Sequence, residues 1–202
     1  MCAAGVLAHY VGDACQPLHI SYLHDGDPQQ SVSRTVHHTN GTVETVKDPL
    51  GNGVHAAYED DMVNANRKAI LDALSGISKV TKAELLANGL EAAQATISLM
   101  RDTFKRIPPV DIVDAFVKFS GSRKARADAF WRQFGKNTLK CMQDGTHLIA
   151  VLWESAWVEG EGESHVKGTK ALTEKKAMSI VADRLFLPSM SVDKIGAELK
   201  RP

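Results

Sequence analysis

Six of the eight histidines, His9, His19, His24, His37, His38 and His55, lie in the first 55 residues of a 202-residue chain. Histidine is the commonest transition-metal ligand, so the clustering points to metal chemistry. His9 stands four residues before Asp13, and His55 four before Glu59. On a helix that spacing sets both side chains on one face about one turn apart, where they can grip one ion. Between the two pairs, Gln16-Pro17 breaks the first helix and turns the chain to present His19. Two histidines and a carboxylate, with a fourth position left to water, form a catalytic rather than a structural zinc arrangement. Simple ion pairs use the same spacing and are the commoner outcome for either pair alone. His24, His37, His38, His147 and His165 lack acidic partners at helical spacing and are read as surface or packing residues.

The rest of the composition narrows the field. Hydrophobic residues make up 44% and charged residues 24%, an ordinary globular balance. Lys plus Arg and Asp plus Glu both number 24, so there is no cationic excess of the kind stable duplex-DNA binding requires. No apolar run reaches the roughly 18 to 20 residues that span a bilayer, so no transmembrane segment is expected. The apolar start, Met1 to Ala8, lacks a basic flank and does not read as a signal peptide. Cys2, Cys15 and Cys141 are too few for a disulfide framework, and Cys15 is read as a buried thiol.

The elements that must position these groups are mostly helical. The expected class is all-α, a multi-helix bundle with long loops and a small hairpin near the metal-binding end. Alternation over 32–46 around Asn40-Gly41 predicts that hairpin with a type I′ turn. One helix is expected over 54–74. A capping box at Thr81-Lys82-Ala83-Glu84 is expected to open a second, with Leu85, Leu86, Leu90, Ala93, Ile97, Met100 and Phe104 facing the core. Pro108-Pro109 closes it, a third runs through Val110–Val117, and a fourth and fifth cover about 123–134 and 136–158. Trp153 and Trp157, at i and i+4, are read as core. The expected organisation is a helical domain over 1–160, then a Gly-rich linker and helical appendage over 161–202, with helices near 173–185 and 191–199.

The segment His9-Tyr10-Val11-Gly12-Asp13-Ala14-Cys15-Gln16-Pro17-Leu18-His19 resembles the signature of the zinc-dependent phospholipase C and fungal single-strand nuclease superfamily. Gly53-Val54-His55-Ala56-Ala57-Tyr58-Glu59 is similar to its second His-x-x-x-carboxylate segment, and Tyr58-Glu59 leans towards the phospholipase branch. The likeness implies a helical fold with three zinc ions in a cleft. It also implies hydrolysis of a phosphodiester, in a phospholipid headgroup or single-stranded nucleic acid, by metal-activated water. By position, His9 and Asp13 would bind a close metal pair, Asp13 bridging and so the catalytic residue, while His19, His55 and Glu59 would hold the remaining zinc. Gln16 would hydrogen-bond a ligand from outside. Family ligands that precede His9 have no counterpart in Met1–Ala8, so a truncated relative with one complete Zn2+ site is expected. The competing reading is a non-catalytic helical module stabilised by that one zinc. Family members are typically secreted or periplasmic.

Overall fold

Small side chains and a proline decide where the first helix ends and what it lies against. In the computed structural model, which describes residues 2–77, 79–165, 173, 175, 178 and 179, α1 (Cys2–Ala14) buries Val11 and Ala14. The carbonyls of Gly12 and Asp13 accept from the amides of Cys15 and Gln16, and Pro17 stops the helix from continuing. The chain divides into two units, Met1–Glu161 and Gly162–Pro202. Within the second, α8 (Gly162–His165) is described, the expected helix near 173–185 is described at four positions only, and that near 191–199 lies outside the described residues.

The fold of the first unit is mostly helical with one two-stranded antiparallel sheet, β1 (Asp27–His37) on β2 (Val43–Leu50). The hairpin is longer than the expected 32–46, with Val32 opposite Asp48 and His37 opposite Val43. Its turn is not type I′, which needs positive φ at two successive residues. Gly41 has φ +83° but Asn40 does not share it, and the Gly41 amide donates to the His38 carbonyl at 3.0 Å. Asn40 instead spends its side chain on the Thr42 amide and hydroxyl, at 3.0 and 2.7 Å.

The helix expected over 54–74 is one helical run with two irregularities. It comprises α2 (Val54–Ala56), a π-helical turn (Ala57–Met62), α3 (Val63–Ala65) and α4 (Arg67–Leu74), with Asn66 at φ −117° breaking α3 from α4. The capping box forms, but it opens only a 3₁₀ turn (Lys82–Glu84), because Leu85 adopts ψ 137° and leaves the helical region. Asn88 then caps α5 (Gly89–Arg106) by accepting from the Glu91 amide at 3.0 Å. The later start changes which face is covered. Leu99 and Thr103 are buried, whereas Leu90, Ile97 and Phe104, expected inside, are 69%, 54% and 49% exposed.

Pro109 is the first residue of α6 (Pro109–Lys118), where its missing N–H costs nothing. The expected fourth and fifth helices are one, α7 (Arg123–Glu159), 37 residues and about 55 Å long. Gly135 does not break it. It is a close-packing point, since a Cβ there would stand 2.7 Å from Cδ2 of Trp131. Trp153 and Trp157 are half exposed rather than core, and the Trp153 indole donates to the Ala4 carbonyl at 3.2 Å. α1, α4, α5 and the π turn all pack on α7. The larger core joins Leu18, Val54, Tyr58, Met62, Ile112 and Phe130, and a smaller one joins Val11, Ala14, Leu99 and Leu152.

The Thr81–Glu84 turn is tied to α7 through His147, whose Nε2 lies 2.8 Å from Oε1 of Glu84. Hydrogen bonds from the Thr81 hydroxyl and amide, then from His147, bring the Glu84 carboxyl down to about 2 from its ordinary 4.5. A carboxyl depressed in the folded state contributes stability above its unfolded pKa and loses it as pH falls through the folded one. Carboxyl NMR is therefore expected to place the Glu84 midpoint near 2, with the tie lost between about 4.5 and 2. A midpoint at the ordinary glutamate value would show the tie to be absent in solution.

Candidate metal centre

Asp25 is where the local chain geometry of the site begins. Its Oδ1 accepts from the amides of Gly53 and His55, at 3.0 and 3.1 Å, and so satisfies orphan donors at the start of α2. The hairpin leaves and returns at this point. Gly26 has φ +105°, and a Cβ on it would meet the Leu50 carbonyl oxygen at 2.6 Å, so only glycine lets the strand ends close here. The His24–Asp25 loop and the start of α2 are thereby held together.

Three groups then converge. His19, His55 and Glu59 each offer one ligand atom, all within 4.8 Å of one another. Nε2 of His19 lies 3.0 Å and Nε2 of His55 2.7 Å from Oε2 of Glu59. Nδ1 of His55 lies 3.2 Å from the His24 carbonyl. Donation to that carbonyl places the ring proton on Nδ1 and leaves the Nε2 lone pair facing Glu59, an arrangement common for ligating histidines. Glu59 sits in the π turn, a distortion that recurs at functional sites. Gln16 donates to the same Glu59 oxygen at 3.0 Å, while its own Oε1 accepts from the amides of Leu18 and His19. Burial would raise the Glu59 carboxyl, but the bonds from Gln16 and His19 outweigh it and hold the group below the ordinary glutamate range.

The donor set suits one divalent transition-metal ion. Two imidazole nitrogens and a carboxylate oxygen are typical zinc donors, and tetrahedral zinc ligands stand about 3.3 Å apart, against 3.0 and 2.7 Å to the Glu59 oxygen here. The other expected residues lie beside this group rather than in it. Asp13 is 3.6 Å from Nδ1 of His19 and 3.5 Å from Nε2 of His9, and His9 is mostly exposed. Among the described residues, His9 and Asp13 join no group of three potential ligands at metal-binding distances.

Sequence reasoning missed His24, which it had left as a surface residue. Its ring centroid is 4.2 Å from that of His55 and 5.4 Å from that of His19, making a cluster of three imidazoles. Spacing gave no signal, because a loop rather than a helix brings His24 in. Cys15 is partly buried, donates to the Gly12 carbonyl at 3.1 Å, and is pushed by desolvation up to about 12, so its thiol stays protonated.

The imidazoles of His19, His38, His55 and His147 meet carboxylates, and the hydroxyls of Ser21, Ser75, Ser122 and Ser155 bond backbone groups. Fold and site thus define a mostly helical domain with a two-histidine, one-carboxylate centre. No family profile and no solved structure matches the chain. The chain is 38% identical over 206 residues, 98% of its length, to a protein of Bradyrhizobium tropiciagri named "Probable serine protease". It spans about a quarter of that relative, 25% of its length.

This relationship corrects the functional expectation. A zinc-dependent phosphodiester hydrolase, whether phospholipase C-like or nuclease-like, is not what the relative is named for, although both names describe hydrolases. The local likeness of two short segments misled because it rests on residue types that can bind metal, and such residues do not specify the bond that is cut. The phosphodiester substrate falls with that expectation. Among the described residues no helix is long and apolar enough to cross a membrane.

Proposed function

We propose that the first unit is a metal-holding helical bundle belonging to a protein of the serine-protease kind for which its relative is named. In this reading His19, His55 and Glu59 hold one divalent ion, Zn2+ by the chemistry of the donors, and Gln16 and the His24 carbonyl orient two of the ligands. The observation that carries it is the convergence of the three ligand atoms within 4.8 Å on a loop and a helix start that Asp25 ties together. The likeness of His9–His19 and Gly53–Glu59 to zinc-binding segments supports zinc as the ion. The role in such a protein is to stabilise and shape this domain, because metal bound only by the folded state adds its binding free energy to folding.

Elemental analysis after extensive dialysis is expected to find about one zinc per folded chain, and close to none in His55→Ala. A chelator is expected to lower the melting temperature of the wild type and to leave that of His55→Ala unchanged. Wild-type protein that refolds zinc-free and keeps its melting temperature when zinc is added would overturn the reading.

A further inference from the structure

A cavity of about 610 Å3 in the first unit lies against the candidate metal centre, with Asp13, His19 and Glu59 in its wall. Its lining also includes the apolar side chains of Val63, Leu74, Met142 and Ile149. Asp60 and Asn64 stand in the lining beside Val63, and no lysine or arginine is among the lining residues. The Asp13 carboxylate meets only the imidazoles of His9 and His19, at 3.5 and 3.6 Å, longer than a charge-assisted hydrogen bond of about 2.7–2.9 Å. Asp13, one-third exposed, is thus open to a donor entering the cavity.

We propose that this cavity binds a peptide amino terminus whose first side chain is apolar. The α-ammonium group donates to Asp13, and the first side chain lies against Val63, Leu74, Met142 and Ile149. Charge selects this occupant. With carboxylates at Asp13, Glu59 and Asp60, no lysine or arginine, and two imidazoles, His9 and His19, in the lining, the three negative charges exceed the two positive charges of the proposed ion, so an ammonium group is attracted to the Asp13 side of the cavity. Shape agrees, since the volume lies within the roughly 300–1,000 Å3 of small-ligand sites and admits the first two or three residues of a peptide. Proteolysis releases new amino termini, so the occupant suits the reading above, on which only this last connection rests.

The test is calorimetric titration of the 202-residue chain, with zinc measured in the same sample, using Leu-Ala-Ala amide as the probe. Saturable one-site binding is expected, weakened at least about tenfold by N-acetylation and by replacing the first Leu with Gly. Asp13→Asn is expected to abolish the preference for the free amine. Ile149→Trp, which adds bulk among the apolar lining residues, is expected to abolish binding while zinc content stays unchanged, and Met142→Trp serves if that variant does not fold. Equal binding of the acetylated peptide, a second equivalent of zinc that displaces the amine, or no saturable binding would each overturn the proposal. In the wild-type chain, absence of peptide binding with zinc present refutes the cavity assignment alone, and peptide binding without zinc refutes the metal reading alone.

Discussion

Phe130→Ala is expected to destabilise the first unit by about 3–5 kcal/mol and to weaken metal retention with it. The Phe130 side chain is 1% exposed, and its ring centroid lies 6.4 Å from Tyr58 and 5.7 Å from Phe134, which is itself 6.2 Å from Tyr58. This aromatic triad presses the π turn onto α7, and the Tyr58 hydroxyl adds a 2.7 Å bond to Thr138. Glu59 is the next residue along that turn. Removing the ring leaves a cavity under the segment that carries Glu59, the ligand proposed above, at a place where two helical elements already fix the spacing. Chemical denaturation measures the first effect, and competition with a zinc-sensitive dye the second. A loss below about 1 kcal/mol would mean that the site collapses around the smaller side chain, contrary to the packing described.

Glu59→Gln is the second large effect, and it separates charge from shape. Glutamine is nearly isosteric and leaves the Tyr58 anchor in place, so the melting temperature of the metal-free protein is expected to change little. Zinc affinity is expected to fall at least about 100-fold, because outer partners of ligands already account for about 10- to 100-fold. Direct competition at neutral pH measures it. The bonds from Gln16 and His19 keep Glu59 ionised to lower pH than an ordinary glutamate, so acidification is not expected to remove this ligand until below its usual range. An affinity within about threefold of wild type would show that Glu59 is not a ligand, whatever its distance from His55.

Much of the fold was legible because helical periodicity, caps and prolines act locally. The stop at Pro17, the entry of α6 at Pro109 and the reciprocal capping box at Thr81 and Glu84 are all of this kind. What was not legible depended on tertiary contact. The capping box was read as the start of a long helix, but Leu85 turns away while its neighbour Leu86 donates its amide to Ser155 of α7. Gly135 looked like a break, yet it lets Trp131 fold back along a continuous helix. The face of α5 was misjudged because the pattern satisfied two stripes and only packing chooses between them. At the site, the i, i+4 spacing found His55 and Glu59, whereas His24 and Asp25 arrive by a loop whose course no spacing encodes. Function was least legible, because two ligand-bearing segments say little about the chemistry of a longer protein.

The long helix has a consequence in time as well as in space. α1 packs on α5 and α7, and the cluster of Val11, Ala14 and Leu99 is closed by Leu152 near the far end of α7. Closing that cluster joins residues more than 130 positions apart, a non-local contact that comes late and slowly. At roughly 5–20 residues per second, α1 leaves the ribosome about 7 to 28 s before its partner is made. For the last part of that interval only α5, through Leu99, is there to cover its apolar face. The small volume of that face, built from valine and alanine rather than large side chains, limits what it can stick to while it waits.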